Sequence, residues 1–281
     1  MSDSGGEDAS ASLVTEIGTA ERPATVVPPT DYDPMVASPV LFLLHGYSAS
    51  STIQDVYFRL SAITRARGVI LVLPDGTVDA TGKQFWNADQ RCCDFRRTGV
   101  DDSGYLTGLL DQVEAAYNVD SDRVYFYGHS NGGYMSYRMA CDLSERVTAI
   151  ASLAGATRTR DSDCMRARPV SILQVHGTLD PTILYESEIG DGGHVGAVDS
   201  VERWAAYAGC DLSAATMGEN RDFDTSVAGA ESTVRTYESG CASGFIGEVW
   251  AIQGGGHIPG IDANSSTQVL DWLLERRPAS L

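Results

Sequence analysis

Gly128-His129-Ser130-Asn131-Gly132 is an instance of the pattern G-x-S-x-G. A serine hydroxyl in that setting is a candidate nucleophile, provided that a base takes its proton and an acid orients the base. The glycines carry the information, because such a serine occupies a strained strand-to-helix turn where flanking side chains would clash. The context fits: the run RVYFY precedes the turn and a helical stretch to Cys141 follows it. Two later segments offer partners. VSILQVHGTLDP places Asp180 just beyond one apolar run, and EVWAIQGGGHIPG places His257 just beyond another, on glycines that give it room. The order Ser130, Asp180, His257 puts each member at the carboxyl end of a strand, where open α/β sheets gather their ligands. The expected chemistry is two-step acyl transfer, with His257 as the base and Asp180 holding its imidazole. A developing oxyanion would take one N–H from Asn131 and a second from Tyr47 in LLHGYSAS, each donor worth about 10²–10³ in rate.

The remaining histidines and carboxylates have simpler readings. His45 and His176 end strands and are expected to brace turns, and His129 faces the far side of the serine turn. His194, in GDGGHV, is the rival base, but no strand precedes it. Asp75, Asp101 and Asp102 compete less well with Asp180 because they precede the serine in the chain. Tyr47, Trp86, Ile183 and Ile258 are the candidate substrate contacts.

These residues need a sheet to hold them. Residues 40–44 (VLFLL), 69–73, 123–127, 147–153, 170–175, 233–237 and 246–252 read as strands, several of them apolar on both faces as in a parallel sheet. Residues 13–17 and 23–27 read as short strands at the start. Helical periodicity covers residues 54–67 through Val56, Leu60 and Ile63, then 101–118, a segment around Trp204, and 262–276. Residues 77–100 read as a long loop. Strands alternating with helices specify an α/β class with a mostly parallel sheet. Residues 1–12 (MSDSGGEDASAS) read as a flexible polar tail and residues 13–281 as a single catalytic domain.

Lys plus Arg number 20 against 38 Asp plus Glu, a net charge of −18, which disfavours nucleic acid and anionic lipid as partners. No apolar run is long enough for a membrane-spanning helix. The six cysteines, Cys92, Cys93, Cys141, Cys164, Cys210 and Cys241, lack C-x-x-C spacing and adjacent histidines, so disulfides in an oxidising compartment are favoured over a metal site. Cys210 and Cys241 share a subregion and are expected to pair; Cys141 ends the nucleophile helix and Cys164 lies in the loop after the next strand, so their ends are expected to lie close. Cys92 and Cys93 are left to form a vicinal bridge, to stay thiols, or to exchange partners with Cys141 and Cys164. The tail has neither a basic nor an apolar leader segment, and Met1 is read as replacing one that was removed.

P-x-x-Y-D at 29–33, LLHGYSAS, FWNADQRCC, VDDSGYL, VYFYGHSNGGYMSYRMAC, HGTLDP and GGGHIPG together resemble the secreted esterases of the polyhydroxybutyrate depolymerase and feruloyl esterase group, relatives of the family 1 carbohydrate esterases. The likeness runs in order over residues 22–275. It implies an α/β-hydrolase fold without a separate lid domain, and a secreted, cell-surface or periplasmic monomer acting on feruloyl, aryl, short-chain acyl or polyester-type esters without metal or organic cofactor. It carries Ser130, Asp180 and His257 over as the triad, with Tyr47 and Asn131 as oxyanion donors. Relatives often have tryptophan after this histidine; here Ile258 and Pro259 follow, so an aromatic wall is missing. A peptidase of the same fold and a non-catalytic hydrolase-like binding protein are the alternative readings.

Overall fold

In the computed structural model, which describes residues 13–164, 166–188 and 193–280, the apolar runs lie side by side in one sheet. Its strands are β1 (Glu16–Gly18), β2 (Pro23–Val27), β3 (Ser38–Leu44), β4 (Ile70–Pro74), β7 (Val119–His129), β8 (Ala149–Leu153), β9 (Ser171–Gly177), β10 (Thr216–Met217), β11 (Ser232–Tyr237) and β12 (Gly247–Ile252). A small hairpin, β5 (Thr77–Val78) and β6 (Gln84–Phe85), stands apart within the segment expected to be a loop. The sheet order is β1-β2-β4-β3-β7-β8-β9-β12-β11-β10. Neighbours from β4 to β12 pair in parallel, while β1, β2, β11 and β10 pair antiparallel at the two edges. This is the mostly parallel α/β architecture that the strand pattern implies, and it fits the α/β-hydrolase fold that the resemblance implies. The proposed tail, residues 1–12, lies outside the described residues.

The helices are α1 (Ser51–Phe58), α2 (Leu60–Ala66), α3 (Asp102–Ala116), α4 (Asn131–Asp142), α5 (Ala197–Tyr207) and α6 (Ala263–Leu274). Alternation along β3 shows why both sheet faces are covered. Val40, Phe42 and Leu44 join one buried cluster with side chains from α3, α4 and α5, while Leu41 and Leu43 join another with α1, α2 and α6. Phe42 stacks on Phe126 in the first cluster, and Phe58 on Tyr127 in the second. Strands buried on both faces are rigid platforms, and their carboxyl ends position the site.

The helix expected over residues 54–67 is two helices. The chain breaks at Arg59, whose φ of 56° is left-handed, and the Asp55 carboxylate then accepts from the Ser61 N–H at 2.8 Å and its hydroxyl at 2.6 Å to start α2. The apolar periodicity also misassigned a face: Val56 is 72% exposed, whereas Gln54 is buried and accepts the Gly46 N–H. A hydrogen bond to the turn after β3 thus overrides the hydropathy pattern.

All six cysteines are paired, as Cys92–Cys93, Cys141–Cys164 and Cys210–Cys241. Cys210 follows α5 and Cys241 follows β11, 31 positions apart in sequence. Closing a loop of that length restricts the unfolded chain by about 3–4 kcal/mol. Dithiothreitol is therefore expected to lower the melting temperature by several degrees; Cys210→Ser/Cys241→Ser should reproduce a large part of that loss. Melting that is indifferent to both would show that this bridge adds nothing.

Candidate active site

The turn between β7 and α4 carries Ser130 at φ 55° and ψ −117°, a conformation that a close-packed surround must impose. Its surround leaves no room for side chains. A Cβ on Gly128 would lie 2.2 Å from the Gly132 carbonyl, and one on Gly132 would lie 2.1 Å from the Leu44 carbonyl oxygen. The Ser130 N–H donates to the Leu153 carbonyl at 2.8 Å, which ties the turn to β8.

The three residues singled out from the sequence converge there. His257 Nε2 lies 3.0 Å from Ser130 Oγ, and its Nδ1–H donates to Asp180 Oδ2 at 2.7 Å. Asp180 Oδ1 accepts two backbone N–H groups, from Thr182 at 2.8 Å and Ile183 at 2.9 Å. His176 Nε2 lies 3.2 Å from the other carboxylate oxygen. Burial by itself would raise the Asp180 pKa, but the donors from His176, His257, Ile183 and Thr182 outweigh it and hold the carboxyl well below its ordinary range. The group is therefore an anion throughout the neutral range.

The segment bearing His257 is anchored at three points. His129 Nε2–H donates to the His257 carbonyl at 2.8 Å, the Tyr57 hydroxyl of α1 donates to the Pro259 carbonyl at 2.6 Å, and Asp224 accepts the Gly260 N–H at 2.7 Å. His129 is thus a structural brace, as its side of the turn implies. His45 braces too: its Nε2 accepts the Gly76 N–H, so its Nδ1–H donates to the Gly46 carbonyl. His194 is elsewhere, bonded to the Leu184 carbonyl and near Glu188. Asp75 accepts the Ser51 N–H, Asp101 caps α3, and Asp102 pairs with Arg22 at 2.6 Å.

Burial pushes the His129 pKa down to about 4. The unfolded chain, with a histidine near 6.5, takes up this proton first, so stability falls as pH drops from about 6.5 to about 4 and this contribution levels off below that. The full effect is about 3 kcal/mol. Chemical denaturation at pH 7 and pH 4.5 should show a smaller acid-induced loss for His129→Gln than for wild type. Equal losses would remove His129 as the cause.

The oxyanion candidates flank Ser130. A Cβ on Gly46 would lie 3.6 Å from Ser130 Cβ, so the start of the Tyr47 loop is packed against the nucleophile turn. Among the described residues, the N–H groups of Tyr47 and Asn131 donate to no protein acceptor, whereas Ser48 donates to Gln84. The Tyr47 ring meets Phe95 edge-on, with centroids 5.3 Å apart, and Lys83 Nζ lies 5.4 Å from it. These side chains line a cavity of about 230 Å³.

One candidate substrate contact requires correction. Trp86 is fully buried: its indole donates to the His45 carbonyl, and its backbone exchanges hydrogen bonds with the Asn131 side chain at 2.7 and 2.9 Å. It is a beam between the serine turn and the 77–100 segment, out of reach of a ligand. Ile183 is half-buried, with its side chain packed on the core and its backbone bonded to Asp180 and His176. Ile258 does stand at the surface, 70% exposed beside His257. Sequence reading missed the Asn131 clamp and the His176 contact. The four-residue spacing of His176 and Asp180 in HGTLD was the available signal for the latter.

Comparison with known proteins bears on the family and the fold. Residues 16–238 match the family model described as "Putative esterase". The chain is 28% identical over 235 residues to feruloyl esterase B of Piromyces equi, covering 80% of this chain and 40% of that protein. It is 29% identical over 153 residues to a bifunctional acetylxylan esterase/xylanase of Neocallimastix patriciarum, covering 54% of this chain and 21% of that one. The chain thus spans less than half the length of these curated relatives. Among solved structures, an acetyl xylan esterase from Aspergillus awamori superimposes with a TM-score of 0.69 at 14% identity, covering 92% of this chain and 97% of that one. With the α/β-hydrolase fold in place and four-fifths of its length matched, this chain belongs to the esterase family.

Proposed function

We propose that the protein is a serine-dependent carboxylic ester hydrolase. The observation that carries this reading is the unbroken line Asp180 Oδ2, His257 Nδ1, His257 Nε2, Ser130 Oγ, with contacts of 2.7 and 3.0 Å. His257 accepts the Ser130 proton as the hydroxyl oxygen attacks the ester carbonyl, and Asp180 stabilises the imidazolium. The backbone N–H groups of Asn131 and Tyr47 receive the oxyanion, at the start of α4 where the helix dipole favours negative charge. The tetrahedral adduct collapses, His257 protonates the departing alkoxide, and the alcohol leaves. Water, deprotonated by the same histidine, then releases the acid and restores Ser130.

The substrates proposed are feruloyl, other aryl or short-chain acyl esters, supported by relatives named as feruloyl and acetylxylan esterases. The Tyr47–Phe95 pair and exposed Ile258 offer apolar contact for such an acyl group, and polyester-type substrates belong to the same chemical class. Three disulfides support action outside the reducing cytoplasm. The test is a substrate panel of p-nitrophenyl butyrate, ethyl ferulate, acetylated xylan and polyhydroxybutyrate, with fluorophosphonate labelling alongside. Ester turnover with the label on Ser130 is expected. An unlabelled Ser130, or turnover of an aminoacyl-nitroanilide in preference to every ester, overturns the reading.

A further inference from the structure

Gln174 is a polar residue in the middle of β9, fully buried, where an amide is costly unless every donor and acceptor is matched. It is matched. Its Nε2 lies 2.9 Å from the Gly155 carbonyl and 3.0 Å from His176 Nδ1, and its Oε1 lies 3.0 Å from the Tyr137 hydroxyl of α4. A carbonyl can only accept, so the amide NH₂ must face Gly155, and Oε1 must face Tyr137. The second N–H of that NH₂ then points at His176 Nδ1, which has to accept it. His176 is thereby fixed in the tautomer that carries its proton on Nε2.

That proton faces the triad. Nε2 lies 2.8 Å from the Ile183 carbonyl and 3.2 Å from Asp180 Oδ2, and Ile183 in turn donates its N–H to Asp180 Oδ1. The one Nε2–H of His176 is thus shared between the Ile183 carbonyl, which takes its hydrogen bond, and the carboxylate, while His257 donates to the same carboxylate oxygen.

We infer that His176, its tautomer locked by Gln174 and Tyr137, is a positioning residue that fixes Asp180 for the base. This rests on the triad reading above, and it gives the buried Gln174 a function that turn-bracing alone does not. With His176 in place, Oδ2 shares its charge between two imidazole N–H groups. Without it, the whole charge faces His257 and favours the imidazolium. The other titratable groups near the carboxylate are His129 on β7, kept neutral by burial, and Tyr134 on α4, a phenol whose pKa burial drives up. Neither supplies a replacement donor.

The test compares His176→Leu, His176→Gln and Gln174→Met by steady-state hydrolysis of p-nitrophenyl butyrate from pH 5 to 9. His176→Leu is expected to lose about 10–100-fold in kcat, the cost typical of removing an outer orienting partner, with KM little changed. Its acidic limb of kcat/KM should move to higher pH. His176→Gln, which keeps an N–H donor, should recover most of the rate. Wild-type kcat and an unmoved limb in a folded His176→Leu overturn the inference. If that variant fails to fold, Gln174→Met decides: release of the tautomer should lower kcat and move the limb, and wild-type behaviour overturns the inference. Ser130→Ala run in parallel keeps the two levels apart, because activity surviving there sinks the triad itself.

Discussion

Ser130→Ala is expected to lower kcat/KM for an activated ester by about 10⁴–10⁶ while leaving the fold intact. The hydroxyl is the attacking atom in the proposed mechanism, and among the described residues its one hydrogen-bond contact is His257. Alanine fits the same backbone: the turn is held by the Ser130 N–H to Leu153 and by the Tyr134 N–H to the Ser130 carbonyl, and both survive the change. The positive φ is no harder for alanine than for serine, so no new strain is added. The residual rate would come from the oxyanion donors and from binding alone. The measurement is turnover of p-nitrophenyl butyrate with a melting curve on the same preparation. A well-folded variant that keeps a tenth of wild-type activity would show that another group attacks the ester.

The scaffold was legible in the sequence because parallel strands buried on both faces leave continuous apolar runs, as at residues 40–44 and 69–73. The proposed triad was legible because its members terminate such runs, and because Gly128 and Gly132 mark a turn that admits no Cβ. Where the sequence misled, a polar side chain served the backbone. Gln54 is buried to hold Gly46, so the apolar stripe through Val56 pointed the wrong way. Asp55 ends one helix and starts the next, a local capping choice that periodicity does not register. Trp86 reads as a candidate substrate contact within the long loop over residues 77–100. Its indole N–H instead satisfies a buried carbonyl, and Asn131, read only for its backbone, uses its side chain to hold that tryptophan. Such contacts join residues 41 and 45 positions apart and leave no periodic trace.

Asp180→Asn should be nearly as damaging as loss of the nucleophile, for a reason that lies in hydrogen-bond polarity. Among the described residues, the four polar contacts of the carboxylate are with donors: Thr182 and Ile183 N–H on Oδ1, His257 and His176 on Oδ2. An amide must bring its own NH₂ to one of those two positions. The backbone pair cannot reverse its polarity, so the NH₂ turns toward the histidines. His257 can satisfy it only by accepting at Nδ1, which moves the ring proton to Nε2, toward Ser130 Oγ. A histidine so protonated cannot take the serine proton, and kcat should fall by about 10⁴. Substrate binding does not involve this carboxylate, so KM should change little. Fluorophosphonate labelling of Ser130 should slow in parallel, because it draws on the same activated oxygen. Asp180→Asn activity within tenfold of wild type, or labelling at the wild-type rate, would mean that a different acid orients His257.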